Sequence, residues 1–278
     1  MNKKTAFTLS EILITLGIIG VVSMFTIPTL LNNYHKRAWV NTLKYDYALL
    51  NEGFRRMLAT EGVDRFEMTD FFQEIKKCTD RSCSNDEDTA IHDKYMKMYF
   101  KSFEEVSYQQ QVDEDWPAGS KLYPYETCRE FVGKGSAWYV LNDPHDKNRC
   151  RGLRQTVYRL ANGSTIRMAI FSNEAGDVPN PTTPLTSMVG QLTIDTNAND
   201  GPNVLGRDAF CFIIGQNGML YPYYSWEFAQ FFVSQGKELD GYYWKMNPDI
   251  ACGTKKGVGS VGEGCAARIM EEGWKMTY

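Results

Sequence analysis

From Ile12 to Leu31 the chain runs for twenty residues without a charged side chain. At about 1.5 Å rise per residue, a helix of that length covers roughly the 30 Å of a bilayer's hydrocarbon core. One carboxylate, Glu11, stands at the head of this run, behind the short basic start Met1-Asn2-Lys3-Lys4-Thr5. A charge at that position is costly unless it is paired. A plain membrane anchor has no use for it. A secretory signal has none either, and would end in a small-x-small cleavage site. Pro28-Thr29-Leu30-Leu31-Asn32-Asn33 offers no such site.

A basic leader followed by Phe7-Thr8-Leu9-Ser10-Glu11 and an apolar helix resembles the class III signal of type IV prepilins and type II secretion pseudopilins. The resemblance covers about residues 1–35. It implies that a prepilin peptidase cuts between Ala6 and Phe7 and methylates the new amino terminus of Phe7. Ala6 stands where the family usually has glycine. The resemblance assigns Glu11 to the amine of a neighbouring subunit in a filament. Two opposite charges satisfy each other in a low-dielectric bundle where neither is stable alone. Pro28 matches a position where such helices bend or melt locally, because proline removes a donor and crowds the preceding turn. Gly17 and Gly20 soften the helix or permit close helix approach.

The apolar pattern then changes. Trp39, Leu43, Tyr47, Leu50, Phe54 and Met57/Leu58 recur at three- and four-residue spacing, which predicts an amphipathic continuation of the same helix. Asn41, Lys44, Asp46, Glu52 and Arg55 are assigned to its other faces, and Gly62 to its stop. Residues 64–105 read as polar helices, with Thr79–Asp88 a charged loop. From about residue 135 the period becomes two. Strands are expected at 137–141, 155–158, 165–170, 191–194, 209–214 and 219–221. Asn162-Gly163 and Gln216-Asn217-Gly218 are hairpin turns. Gly176–Pro184 is a loop, and 264–273 a short helix ending at glycine. The expected class is α+β, a long N-terminal helix packed on an antiparallel sheet. Its divisions are a leader (1–6), a membrane or filament-core helix (7–33), its amphipathic continuation (34–62) and a globular domain (63–278).

Net charge is −4, and −6 without Lys3 and Lys4, which argues against nucleic-acid binding by bulk electrostatics. The 15 Phe, 16 Tyr and 6 Trp supply a large core and argue against disorder. All seven cysteines follow the apolar span, on the side expected to be periplasmic or extracellular, where disulfides persist. Proximity in sequence suggests Cys78–Cys83, Cys128–Cys150 and Cys252–Cys265, although spacing cannot fix connectivity. Cys211 lies in an apolar run and is expected to be a buried thiol.

The richest oxygen-donor stretch holds Asp195, Asn197, Asn199 and Asp200, with Asp208 downstream. It resembles the first half of a calcium loop. Its glycine, Gly201, comes one position late, and Gly206 stands where an EF-hand places Glu. A turn whose side chains bond their own backbone is the competing reading. Calcium is thus the one cofactor expectation. Gly257-Val-Gly259-Ser-Val-Gly262 fits G-x-G-x-x-G but follows no apolar strand. No G-x-S-x-G, H-E-x-x-H or P-loop occurs, so the chain is read as a non-enzyme.

The expected function is a pilin-like structural subunit, a minor pilin or pseudopilin. It sits first as a single-pass protein of the bacterial inner membrane and then in a type IV pilus or type II secretion pseudopilus. Its partners are the prepilin peptidase and other pilin subunits. The alternatives are a membrane-tethered periplasmic ligand-binding protein, or an enzyme on a pilin-like anchor.

Overall fold

A computed structural model describes residues 8–78, 85–100, 103–105, 156–170, 188–197, 205–252 and 262–278. The chain divides into two compact units, Met1–Ala38 and Trp39–Tyr278. One helix, α1 (Leu9–Glu61), begins in the first unit and ends in the second. It stops at Gly62, whose φ of +68° is a backbone conformation that side chains with a Cβ resist.

In the second unit α1 is followed by α2 (Asp70–Cys78) and α3 (Asn85–Tyr99). A six-stranded sheet then forms from β1 (Phe103–Glu105), β2 (Thr156–Leu160), β3 (Thr165–Ile170), β4 (Met188–Asp195), β5 (Ala209–Gly215) and β6 (Leu220–Pro222). Every neighbouring pair is antiparallel and strand order follows chain order. Among the described residues three short α-helices follow the sheet: α4 (Trp226–Ser234), α5 (Pro248–Cys252) and α6 (Cys265–Glu271). The α+β class and both hairpin turns agree with the expectation. The strand expected at 137–141, the loop at 176–184 and most of the G-x-G-x-x-G run lie outside the described residues.

The stripe read from the sequence faces the sheet. Leu43, Leu50, Phe54 and Met57 are fully buried against one cluster with Tyr158, Ile166, Met168, Leu192, Phe210 and Phe212. Each such side chain contributes roughly 1.5–3 kcal/mol on burial. Phe54 meets Phe66 and Phe100 edge-on at 5.6 and 5.0 Å. The helix tolerates Gly53 here because a Cβ at that site would overlap the Phe100 ring.

β5 is apolar at every position because both its faces are covered. Phe210, Phe212 and Ile214 enter the main core, while Ile213 packs on Phe228 and Phe231 of α4. At the sheet's edge, α1 side chains satisfy the outward backbone of β6. The Leu220 N–H donates to Asn51 Oδ1 at 2.9 Å, and the Tyr47 hydroxyl donates to the Leu220 carbonyl at 3.2 Å. One turn further on, the Arg55 Nε–H donates to Met219 Sδ. An open edge strand is a template for unwanted pairing, and α1 removes that template here. At the helix's other end Glu61 accepts from the Asp70 N–H at 2.7 Å and from the Tyr99 hydroxyl at 2.8 Å. It thereby joins the end of α1 to the start of α2 and the end of α3.

Three expectations need correction. Residues 103–105 are strand rather than helix, because Phe103 and Glu105 pair with Leu160 and Tyr158 and sheet hydrogen bonds outweigh local helical preference. Asp86–Asp88 belong to α3 rather than to a loop. Asp46, assigned to a polar face, is fully buried. Its Oδ1 accepts from Asn162 Nδ2 at 2.7 Å, so the β2–β3 turn docks on α1 through this carboxylate.

Burial pushes the Asp46 carboxyl up from its ordinary 3.8 to about 6, against the pull of hydrogen bonds from Ser164 and Asn162. The folded protein therefore holds a proton that the unfolded chain releases between about pH 4 and 6. Stability contributed by neutral Asp46 is present at the acid end of that window and is lost as pH rises through the folded pKa. A shift of this size is worth on the order of 2–3 kcal/mol. Asp46→Asn should flatten this part of the stability–pH profile, raising stability at pH 7 relative to wild type while changing it little at pH 4. Urea unfolding of the detergent-solubilised protein across that range measures the difference.

Candidate assembly site in the N-terminal helix

The first unit is a helix of exposed apolar side chains. From Leu9 to Leu31 its large apolar residues are 45–76 % exposed. α1 is long and apolar enough to cross a membrane. Three threonines in this stretch bond backbone carbonyls within the helix, as a lipid environment requires. The Thr15 hydroxyl donates to the carbonyls of Glu11 and Ile12, each at 2.9 Å. Thr26 donates to Val22 O at 3.0 Å and Thr29 to Phe25 O at 3.3 Å. α1 continues as one helix through Pro28.

Glu11 is held by a reciprocal arrangement at the helix start. The Thr8 N–H and the Thr8 hydroxyl both donate to Glu11 Oε2, each at 2.8 Å. The Glu11 N–H in turn donates to Thr8 Oγ1 at 3.3 Å. This is a capping box, in which Thr and Glu three residues apart satisfy backbone donors that the first turn leaves open. A carboxylate there also complements the positive end of the helix. Both Thr8 bonds fall on Oε2 and leave Oε1 clear of them. The sequence carries this signal as Thr8-Leu9-Ser10-Glu11, a cap that family resemblance does not assign to Glu11.

The remaining predicted residues lie elsewhere. Ala6 and Phe7 are outside the described residues, as are Asn199 and Asp200. Asp195 and Asp208 are buried. Asp195 Oδ1 accepts the Asn197 N–H at 3.3 Å, while the Thr196 N–H and hydroxyl both donate to the Asp208 carbonyl at 2.8 and 2.9 Å. These bonds close a turn on its own backbone. No group of three His, Cys, Asp or Glu side chains placed to hold a metal occurs among the described residues.

Cys252 and Cys265 form a disulfide joining α5 to α6. Cys211 is a buried thiol 3.7 Å from Thr193 Oγ1. Cys83, Cys128 and Cys150 lie outside the described residues, and with them the two other suggested pairs. The sequence pattern also missed α4 and the aromatic group around it, where Trp226 meets Tyr243 edge-on at 5.4 Å and Phe232 stacks on Tyr242 at 4.1 Å. No family model, curated protein or solved structure matches the chain.

The capping geometry makes a local prediction. Thr8→Val removes the hydroxyl that exchanges bonds with Glu11, and losing such a cap costs about 0.5–2 kcal/mol. Amide hydrogen exchange at Leu9–Ile12 should accelerate up to roughly tenfold at a cost near 1.4 kcal/mol, while amides beyond Ala38 keep their protection. Exchange mass spectrometry on the full chain in detergent reads both.

Proposed function

We propose that this chain is a pilin-like structural subunit, processed between Ala6 and Phe7 and assembled through its N-terminal helix into a type IV pilus or type II secretion pseudopilus. The observation that carries the reading is the exposed apolar stretch Leu9–Leu31 of α1, whose sole carboxylate, Glu11, stands in its first turn with one oxygen bonded to Thr8 and the other clear of those bonds. An exposed apolar surface of this extent requires lipid or neighbouring helices. A single-pass inner-membrane precursor supplies the first, and a filament core supplies the second. The Cys252–Cys265 disulfide suits a globular domain in an oxidising compartment, periplasmic or extracellular. The subunit's size and irregular soluble domain favour a minor pilin or pseudopilin.

In this mechanism apolar packing drives helix association, and the Glu11 carboxylate sets axial register by pairing with a neighbour's N-terminal amine. The chain acts by assembly rather than by catalysis. A membrane-tethered ligand-binding protein is the second reading, favoured by Trp226, which remains 47 % exposed beside Tyr243.

The capping box makes Glu11→Gln a discriminating variant. Glutamine at that position keeps the box but removes the charge. If Glu11 serves only as a cap, Glu11→Gln is incorporated like wild type. If it pairs with an amine, Glu11→Gln inserts into the membrane normally but enters filaments poorly, and Thr8→Val is the milder defect. Mass spectrometry of the mature N-terminus, with and without the host's prepilin peptidase, tests the processing step. A methylated Phe7 terminus that depends on the peptidase is expected. An intact Met1 would overturn the filament reading in favour of the tethered one.

A further inference from the structure

The start of α4 presents an aromatic side chain to solvent. Trp226 is 47 % exposed, and among the described residues it is the one tryptophan open to that degree. The backbone just before it holds a costly conformation. Tyr224 has a φ of +60°, a region that bulky side chains avoid. Residues held in such regions cluster at functional sites. The surrounding contacts fix this bend. The Trp244 N–H donates to the Tyr224 carbonyl at 3.0 Å. Ser225 Oγ accepts the Phe228 N–H at 3.2 Å and caps α4. Gly264 passes so close that a Cβ there would stand 3.0 Å from Tyr224 Cβ.

Polar groups lie one side chain away. Trp226 meets the Tyr243 ring at 73°, with centroids 5.4 Å apart. The Tyr243 hydroxyl donates to Glu271 Oε2 at 3.1 Å, and Lys245 Nζ stands 2.8 Å from the same oxygen. The Lys245 ammonium also lies 5.9 Å from the Tyr243 ring centroid. Tyr243 therefore joins an apolar half to a polar half, its ring against Trp226 and its hydroxyl on Glu271.

This pattern narrows the ligand. Lys245 and Glu271 cancel each other's charge, so the group offers donors and an acceptor without a net charge. An anionic ligand would compete with Glu271 for Lys245. A quaternary amine needs an aromatic face clear of protein cations, and the Tyr243 ring already has one beside it. A protein partner needs about 800 Å² on each side, several times what one indole supplies. A pyranose meets both halves. Its axial C–H bonds make an apolar face that stacks on an indole, and its hydroxyls both donate and accept. A gluco-configured ring has every substituent equatorial and so the flattest such face.

We propose that Trp226, Tyr243, Lys245 and Glu271 form a binding site for a neutral glycan, with a β-linked gluco-configured pyranose stacked on Trp226 and its hydroxyls bonded to the Tyr243–Glu271–Lys245 group. The inference stands on the second unit alone and not on filament assembly. A filament subunit and a tethered protein would carry the site equally.

The test titrates the full chain with cellohexaose and with chitohexaose by isothermal titration calorimetry. Phospholipid nanodiscs hold the protein, because sugar-headed detergents would compete. Wild type should bind at least one of the two saturably. Trp226→Ala should weaken that binding roughly tenfold, the worth of one aromatic stack, and Trp226→Tyr should keep most of it. Tyr243→Phe keeps the ring without the hydroxyl and should weaken binding roughly fivefold. Unchanged circular dichroism in each variant excludes misfolding as the cause. No saturable heat with either oligosaccharide would overturn the site, as would equal binding by Trp226→Ala. Displacement of the sugar by tetramethylammonium would overturn it too, by revealing a cation site. Loss of the site would leave the filament reading standing, and an uncut N-terminus would remove the filament reading while leaving glycan binding intact.

Discussion

The second unit depends on the contact between residues 39–61 of α1 and the sheet. The apolar face of an antiparallel sheet needs a cover, and its open edge strand needs a stop. The helix supplies both from one surface. Leu43, Leu50, Phe54 and Met57 bury themselves against the sheet. Tyr47 and Asn51 hydrogen-bond the β6 backbone, and Asp46 accepts from the β2–β3 turn. Apolar burial supplies most of the stabilisation because it scales with area. The polar bonds fix register, since a slipped helix would strand a buried donor or acceptor at a cost of about 1–3 kcal/mol each.

The C-terminal tail strengthens this contact. Trp274 lies 5.9 Å from the Tyr47 ring, and the Lys44 ammonium stands 5.7 Å from the Trp274 ring centroid. Tyr278 donates to the Gly206 carbonyl at 2.7 Å. Arg268 sits between the rings of Trp244 and Tyr278, at 5.8 and 4.9 Å, while its Nε–H bonds Glu272. The tail thus joins α1 to the turn that opens β5. The disulfide reinforces the same corner, because a Cβ at Gly206 would strike Cys265 Sγ.

In the first unit the physical demands are reversed. Its side chains face outward and are apolar, and its hydroxyls bond the backbone one turn earlier. A helix of this kind is stable in lipid and costly in water. Between Leu9 and Leu31 Glu11 is the one charged group, and both Thr8 bonds fall on only one of its two oxygens. The proposed amine partner and the cap are therefore compatible, because they use different oxygens of one carboxylate.

Much of this was legible in the sequence. Twenty uncharged residues determine a helix that needs an apolar surround, because no other structure satisfies its backbone there. The stripe from Trp39 to Leu58 determines which face of α1 is buried, and Asn162-Gly163 determines a hairpin, since few residues adopt its turn. Thr8-Leu9-Ser10-Glu11 encodes its own cap. The tertiary structure alone decided that Asp46 goes inside, because its partner Asn162 lies 116 residues away. It alone decided that Phe103–Glu105 joins a sheet, that Asn51 and Tyr47 close the β6 edge, and that Asp195 accepts the Asn197 N–H. Local pattern records what a residue prefers among its sequence neighbours. Which polar groups are buried depends on partners brought together only when the chain folds.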